Sequence, residues 1–398
     1  MTKRALYIIP FILVTAVFTS SSTLLRLDFS GFNGLYIAKE KNLKNISWIT
    51  SVSDTGVYRL SQGDKIIAEG TTRYGKIHSV SVENPESSYV LAYGGKRTGM
   101  YTIPINSIKK QEEAIYKNVD SIYVLGDIHG EFDDLIKILK TSRLINEQLE
   151  WTGGKAHLVF LGDLFDRGKK VTKLLWFIYK LEQQALKVGG KVHVVLGNHE
   201  IMVMTKDLRY VSVKERGIAV AHKTTYDQLF HPTKSILGNW LKHKTSVMKI
   251  NSVLFAHGGV INLETKDLSK FNTQALDYMN DTDIFLDLIA DQPNSSKYDP
   301  KKWIEMRKFF FDQNNPYWFR GFVRSNELEN DLNKTLKRFE SDQHVVGHTA
   351  LSFISTKYNG KLIATDLHRP ATQILLMVQN TSAPTNYSID QEGNKKEL

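Results

Sequence analysis

Apolar and polar positions are patterned in two different ways along this chain. In the first part they come in short runs cut by turns: Gly34-Leu35-Tyr36-Ile37-Ala38, Ile46-Ser47-Trp48-Ile49, Gly56-Val57-Tyr58-Arg59-Leu60, Lys65-Ile66-Ile67-Ala68-Glu69 and Tyr89-Val90-Leu91-Ala92-Tyr93. Turn pairs such as Gly63-Asp64 and Gly94-Gly95 sit between them. Runs of this length predict a small antiparallel β domain over residues 27–110. Nothing in it is chemically distinctive. We read it as a cover for one side of a larger domain, with a substrate-binding or docking module as the alternative.

From residue 115 to about 379 the pattern changes. Apolar runs such as Ile122-Tyr123-Val124-Leu125, Leu158-Val159-Phe160-Leu161, Val194-Val195-Leu196, Val253-Leu254-Phe255-Ala256 and Val345-Val346 each end on a glycine or a polar side chain. Between them, residues 132–139 follow as a helical stretch, and residues 171–186 carry Leu174, Leu175, Phe177, Ile178 and Leu181 at helical spacing. Strand, loop, helix, strand implies βαβ crossovers and an α/β sheet with helices on its faces. In such sheets ligands collect at the carboxyl ends of the strands. Residues 201–250 read as mainly helical, residues 265–318 as a long insertion of helix and loop rich in aromatics, and residues 380–398 as a disordered polar tail. There is no internal repeat.

The N-terminus, Met1-Thr2-Lys3-Arg4, leads into an uncharged run with an apolar centre over residues 6–18 and then a Ser/Thr-rich stretch. Residues 1–22 have the shape of a secretory signal peptide cleaved near Thr19 to Ser22. The run is short for a membrane span and Pro10 interrupts it, so a retained anchor is the alternative. The expected location is the periplasm or cell envelope, with membrane contact only through an uncleaved N-terminus.

At 398 residues and 41% apolar content the chain suits one large domain plus a smaller one. Its 52 basic and 42 acidic residues give a net charge of +10, which favours anionic partners or is simply a solvated surface. There is no cysteine, which excludes disulfides, thiolate nucleophiles and Cys-ligated zinc. A metal would have to sit on oxygen and imidazole nitrogen.

Five clusters offer such donors: Gly126-Asp127-Ile128-His129-Gly130, Gly162-Asp163-Leu164-Phe165-Asp166-Arg167-Gly168, Gly197-Asn198-His199-Glu200, His257-Gly258-Gly259 and Gly347-His348-Thr349. Each alone reads as a turn or a satisfied polar residue. Together, each behind its own apolar run, they read as the ligands of one site. The first three blocks resemble the signature blocks of the calcineurin-like metallophosphoesterases, in particular the phosphoprotein phosphatase (PPP) branch, whose second block ends in Asp-Arg-Gly. The two later histidines are similar to that family's downstream pair. The β domain in front and Trp318-Phe319-Arg320-Gly321 look most like the bacterial Shewanella-like phosphatases.

The resemblance implies a two-sheet αββα sandwich and a pair of divalent ions, Mn preferred, with Fe, Zn, Mg or Ni as alternatives. It puts one metal on Asp127, His129 and Asp163, and the second on Asp163, Asn198, His257 and His348. Two dications and two carboxylates leave +2, and a bridging hydroxide lowers this to +1, so the site attracts a phosphate dianion. The implied reaction is hydrolysis of a phosphomonoester by direct attack of that hydroxide, with His199 as general acid and Asp166 orienting its imidazole. Arg167 and Arg320 would bind the phosphate, and Glu200 reads as a hydrogen-bonding support.

The expected substrate is a phosphorylated protein or peptide, on tyrosine or on serine and threonine, with no nucleic acid partner. Phe309-Phe310-Phe311 and Tyr317-Trp318-Phe319 read first as core, with a wall for an aryl phosphate as the alternative. The rival activity is a dinucleoside polyphosphate hydrolase. The rival of another class is a non-catalytic envelope binding protein. In two respects the chain departs from the family pattern: where the eukaryotic members carry Ser-Ala-Pro-Asn-Tyr, it has Thr365-Asp366-Leu367-His368-Arg369, the similar-looking Ser382-Ala383-Pro384-Thr385-Asn386-Tyr387 being read as coincidence, and its N-terminus is signal-like.

Overall fold

A computed structural model describes residues 34–40, 43–49, 56–72, 76–84, 86–95, 99–106, 108–379 and 384–398. The signal-peptide expectation for residues 1–22 lies outside them. Among the described residues no helix is long and apolar enough to cross a membrane.

The strands described in the N-terminal part are all paired antiparallel. Strands β1 (Tyr36–Glu40), β2 (Leu43–Ile49), β3 (Gly56–Gln62), β4 (Lys65–Thr72), β5 (Ile77–Glu83), β6 (Tyr89–Gly95) and β7 (Gly99–Ile105) form a three-stranded sheet, β1-β2-β5, and a four-stranded one, β4-β3-β6-β7. Strands β5 and β7 escaped the sequence reading. In β5 the apolar residues alternate with Ser and His, and in β7 Thr102 and Pro104 break the apolar positions into short pieces.

The larger part holds two six-stranded sheets. The first has the order β11-β10-β9-β17-β18-β19, built from β9 (Ser121–Leu125), β10 (His157–Phe160), β11 (Lys191–Val194), β17 (Gln373–Val378), β18 (Thr385–Asp390) and β19 (Lys395–Glu397). The second, β15-β16-β14-β13-β12-β8, uses β8 (Ile115–Tyr116), β12 (Val247–Ile250), β13 (Val253–Ala256), β14 (Gln343–Val346), β15 (Ser355–Lys357) and β16 (Leu362–Ala364).

Alternation within the strands explains the layers, because successive side chains point to opposite faces. Ile122, Val124, Val159 and Val195 of the first sheet meet Val253, Phe255, Val345 and Ile363 of the second in one buried cluster. Their neighbours Leu125, Leu158, Phe160 and Val194 face the other way, onto α1 (Phe132–Thr141) and α2 (Val171–Lys187). On the far side, Leu254 and Ala256 meet Leu268 and Phe271 of a helix at Leu268–Asn280, and Val346 and Leu362 meet Leu332 and Leu336 of another at Glu329–Arg338. The result is an αββα sandwich.

Helix α2 is buried beyond a single stripe, and Trp176 and Tyr179 show why. The indole N–H of Trp176 donates to the Leu35 carbonyl at 2.9 Å, and the Tyr179 hydroxyl accepts from the Asn106 N–H at 3.0 Å. The β domain therefore covers the face of α2 that the sheet leaves open.

The disordered tail expected over residues 380–398 is corrected by the structure. Strand β18 pairs with β17 over six residues and β19 pairs with β18. The tail also grips α1, with Gln391 Nε2 donating to Asp134 Oδ1 at 3.0 Å and Lys137 pairing with Glu392 at 2.9 Å. A polar edge strand needs little apolar surface, since it is held by backbone bonds to an exposed sheet edge, and composition therefore misleads there. The Ser382 to Tyr387 look-alike leads into the start of β18, where Thr385 lies opposite Val378 and Val378 opposite Ser121. That is the end of the sheet away from the clusters.

Candidate metal centre

Strands β9, β10 and β11 run parallel in one sheet, and β13, β14 and β16 run parallel in the other. Asp127 and His129 follow β9, Asp163 follows β10, and Asn198 opens the short helix Asn198–Met204 after β11. His257 follows β13 and His348 follows β14. The turns that aim these side chains are strained: His129, Asp163, Asp166, Arg167 and His348 have φ of 48°, 50°, 69°, 60° and 63°. A side chain in that region costs about 1–2 kcal/mol, so surrounding contacts must hold it.

Glu200 supplies such contacts. Its carboxylate accepts the backbone N–H groups of Gly197 at 2.7 Å, Asp163 at 2.9 Å and Leu164 at 2.8 Å. It thus ties the second block to the third. Gly197 cannot be replaced without disturbance, because a Cβ there would lie 2.4 Å from Asp163 Oδ1.

The donors converge. His257 Nε2 lies 2.9 Å from Asn198 Oδ1, 3.0 Å from His348 Nδ1 and 3.3 Å from Asp163 Oδ1. Donor atoms bound at right angles on a common ion with bonds near 2.1 Å would be about 3.0 Å apart, so this spacing fits a cation. On the other side of Asp163, His129 Nε2 lies 3.9 Å from Asp163 Oδ2 and 3.8 Å from Asp127 Oδ2.

The tautomers agree with this fit. His257 Nδ1 bonds the Leu161 carbonyl at 2.6 Å and His129 Nδ1 bonds the Phe165 carbonyl at 2.7 Å, so each must carry its proton on Nδ1 and turn Nε2 inward. His129 Nε2 is buried without a hydrogen-bond partner among the described residues. Asp163 with His257 and His348, and Asp163 with His129 and His199, form two groups able to hold an ion.

The charges are out of balance. Burial raises Asp127, and the neighbouring Asp366 carboxyl raises it further. Burial acts the same way on Asp163, but the imidazoles of His257 and His199 outweigh it and hold that carboxyl well below its ordinary range. Burial pulls His129 down to about 4.

Around this centre the remaining predicted residues are placed as follows. His199 Nδ1 lies 2.5 Å from Asp166 Oδ2. Burial lowers the pKa of its ring, yet Asp163 and Asp166 together hold it above the ordinary histidine value. Arg167 is exposed, its backbone N–H donates to the Tyr210 carbonyl at 2.9 Å, and no ion pair holds its guanidinium among the described residues. Arg320 reaches in from the other side, donating to the His348 carbonyl, with Nη2 3.3 Å from His348 Nδ1. Of the aromatic run, Phe310 and Tyr317 are core, while the half-buried Trp318 ring stands 6.0 Å from that of His348.

Two residues at the site had no assigned role in the sequence reading. Asp366 follows β16 just as His348 follows β14, and the apolar run 362–364 ahead of it was a signal of the same kind. Tyr210, whose ring lies 5.5 Å from that of His199, sits in a loop with no pattern to mark it.

A site that gathers oxygen and imidazole donors for cations, and sets two guanidinium groups beside them, suits an anionic ester. Fold and site together define a metallophosphoesterase, a hydrolase. The chain belongs to the calcineurin-like phosphoesterase family, whose family model matches residues 121–352. It is 27% identical over 276 residues to Shewanella-like protein phosphatase 1 of Plasmodium berghei, covering 64% of this chain and 70% of that protein. A shorter match, 32% identical over 138 residues, joins it to the symmetrical bis(5'-nucleosyl)-tetraphosphatase of Vibrio cholerae, covering 35% of this chain and 44% of that one. The solved cold-active protein-tyrosine phosphatase of a psychrophilic Shewanella species superposes with a TM-score of 0.70 at 26% identity, covering 92% of this chain and 98% of the other.

Proposed function

We propose that the chain is a two-metal phosphomonoesterase acting on phosphorylated protein side chains, phosphotyrosine included. The observation that carries this reading is the convergence of Asn198, His257, His348 and Asp163 on one point, with His129 Nε2 left free beside Asp163. Asp127, His129 and Asp163 would hold one divalent ion, and Asp163, Asn198, His257 and His348 the other. Mn²⁺ is our choice for these oxygen and imidazole donors, with Fe, Zn, Mg and Ni as alternatives. When bound, two such ions neutralise phosphoryl charge and lower the pKa of water so that it attacks phosphorus at neutral pH.

The side chains do the rest. His199 keeps a proton because Asp163 and Asp166 hold its pKa up, and Asp166 fixes the ring through Nδ1, leaving Nε2 to give its proton to the departing oxygen. Arg167, free of any ion pair among the described residues, and Arg320, fixed on the His348 carbonyl, would fork onto phosphoryl oxygens from two sides. Trp318 and Tyr210 stand near enough to meet an aryl leaving group.

The test is phosphate release from phosphotyrosine, phosphoserine and phosphothreonine peptides and from a dinucleoside tetraphosphate, using the metal-stripped chain before and after Mn²⁺. Mn-dependent release from the peptides is expected. Release of nucleotides alone would favour the dinucleoside polyphosphate reading. No activity on any of them, with two ions bound, would favour a binding protein.

A further inference from the structure

One carboxylate on the metal rim lies outside the six ligands named above. Asp366 follows β16 at the same end of its sheet as His257 and His348, and it is 5% exposed. Its carboxyl is in hydrogen-bond contact with that of Asp127. The backbone fixes this placement. Leu351 N–H donates to the Asp366 carbonyl at 3.0 Å, and the Thr365 N–H and hydroxyl both donate to the Val346 carbonyl, at 2.9 and 3.1 Å. Gly126, directly before Asp127, is pressed against this segment, for a Cβ on it would lie 2.5 Å from the Thr365 carbonyl oxygen. The two carboxyl groups are therefore held together by main chain on both sides.

Two buried carboxyl groups in contact disfavour each other's charge unless a cation lies beside them. Among the described residues no lysine or arginine is within ion-pair distance of either Asp366 or Asp127. Burial and the Asp163 carboxylate push Asp366 up, while the His257 imidazole, the hydrogen bond with Asp127 and, last, Arg167 act against them. Among the described residues the imidazole of His257, 3.9 Å from Asp127 Oδ1, opposes the pair only in part, and a divalent ion on Asp127 would supply the remaining positive charge.

We infer that Asp366 is a further metal-site residue, a third carboxylate that retains the ion shared by Asp127, His129 and Asp163. This rests on the two-ion reading proposed above. With three carboxylates the two dications keep a net charge of about +1 before any water is ionised, so retention is gained at the expense of pull on the phosphate. A third hard oxygen donor also biases that position toward Mn²⁺ or Mg²⁺ over softer divalent ions. The Glu200 carboxylate lies on the His257 side, but its oxygens accept the backbone N–H groups of Gly197, Asp163 and Leu164, so the effect is expected at the Asp127 ion.

The test is calorimetric titration of Mn²⁺ into the metal-stripped full chain, with metal content counted after gel filtration, for the parent and for Asp366→Asn. Two ions are expected in the parent. In the variant one ion should bind about tenfold or more weakly while the other is unchanged, the range typical of groups that support a metal ligand. The stripped variant should also melt no lower than the stripped parent, because a repulsion has been removed. Asp366→Ser, smaller and uncharged, repeats the measurement if the Asn variant fails to fold. Two ions at parental affinity in the folded variants would overturn the inference alone. A parent that takes up no Mn²⁺ would sink the two-ion reading and the inference with it.

Discussion

At the carboxyl ends of the strands Asp163 meets three imidazoles, and at the amino ends Glu112 meets an imidazole and a lysine, yet the two buried clusters are finished in opposite ways. In the second, Glu112 pairs with His193 Nδ1 at 2.5 Å and with Lys244 at 3.1 Å, and His193 Nε2 lies 3.0 Å from His157 Nδ1. Lys244 also pairs with Glu182 at 2.7 Å, and Glu182 accepts the Trp240 N–H at 2.6 Å. No buried side-chain nitrogen or oxygen of these residues lacks a partner among the described residues. In the first, His129 Nε2 and Asp166 Oδ1 have none. Both clusters set carboxylates against imidazoles, the second adds Lys244, and what separates a site open to a metal from a structural network is whether the last lone pairs are spent inside the protein or left pointing at one another.

Asp163→Asn attacks the contrast at its centre. Asp163 is the one carboxylate in both ion-sized groups. Its loss should lower phosphatase kcat/KM by about 10⁴-fold, several kcal/mol of transition-state stabilisation, and lower metal content with it. A variant that keeps a tenth of the parental rate would show that the cluster is not the catalytic one. Lys244→Met is the matching change at the amino end. It takes the lysine from two half-buried carboxylates that keep only His193 and the Trp240 N–H, and should cost about 1–3 kcal/mol in urea unfolding, with metal content and turnover per folded molecule unaltered. Loss of activity without loss of stability would break the contrast.

His199→Asn comes next in size. The expected loss is about 10²-fold or more on phosphoserine peptides, with both ions retained. The loss should be smaller on aryl phosphates, since a phenol ionises near pH 10 and leaves without full protonation. Equal losses on both would argue against His199 as proton donor.

The contrast also predicts an acid limit. Burial, then His193, pushes His157 down to about 3, against about 6.5 in an unfolded chain. The folded-state value is depressed, so between about pH 6.5 and 3 the unfolded chain binds the extra proton and stability falls as pH falls. Glu112 adds in the same direction at lower pH, because Lys244 and His193 outweigh burial and hold its carboxyl below the usual range. Urea midpoints at pH 6.5 and 5 should differ less in His157→Asn than in the parent. An unchanged difference would remove His157 from the account.

The carboxyl-end cluster was legible in the sequence and the amino-end one was not, for a physical reason. Metal donors have to sit at strand ends on tight turns, so Gly126-Asp127, Gly162-Asp163 and Gly347-His348 announce themselves beside apolar runs. Glu112, Glu182, His193 and Lys244 need only the right partner in space, and nothing local marks them. The αββα layers could be read from alternation, while the tail strands β18 and β19 could not, because backbone pairing at an edge leaves little compositional trace. The Asp390 to Asn394 turn, with Gly393 at φ 87°, was the one available hint. Asp366 was visible as a position after an apolar run, but its partner Asp127 is apparent only in three dimensions.

The smallest effect is expected where the rim opens to solvent. Tyr210 is 49% exposed, yet its ring is held in place. The Arg209 guanidinium lies 5.6 Å over it, and Arg209 is itself fixed by two bonds to buried Asp207, at 2.8 and 2.7 Å. The Tyr210 carbonyl meanwhile accepts the Arg167 N–H, so the residue is tied to Arg167 through its backbone while its ring lies 5.5 Å from that of His199. An aryl leaving group departing toward His199 would meet that ring, and such aromatic pairs are worth about 0.5–1.5 kcal/mol. Tyr210→Ala should therefore lower kcat/KM on phosphotyrosine peptides about fivefold and on phosphoserine peptides less than about twofold, while Tyr210→Phe keeps both. An equal fall on both substrates would mean that the residue only positions the Arg167 loop. A selective fall would show that the open cluster, unlike the closed one, uses its unfinished edge to read the substrate.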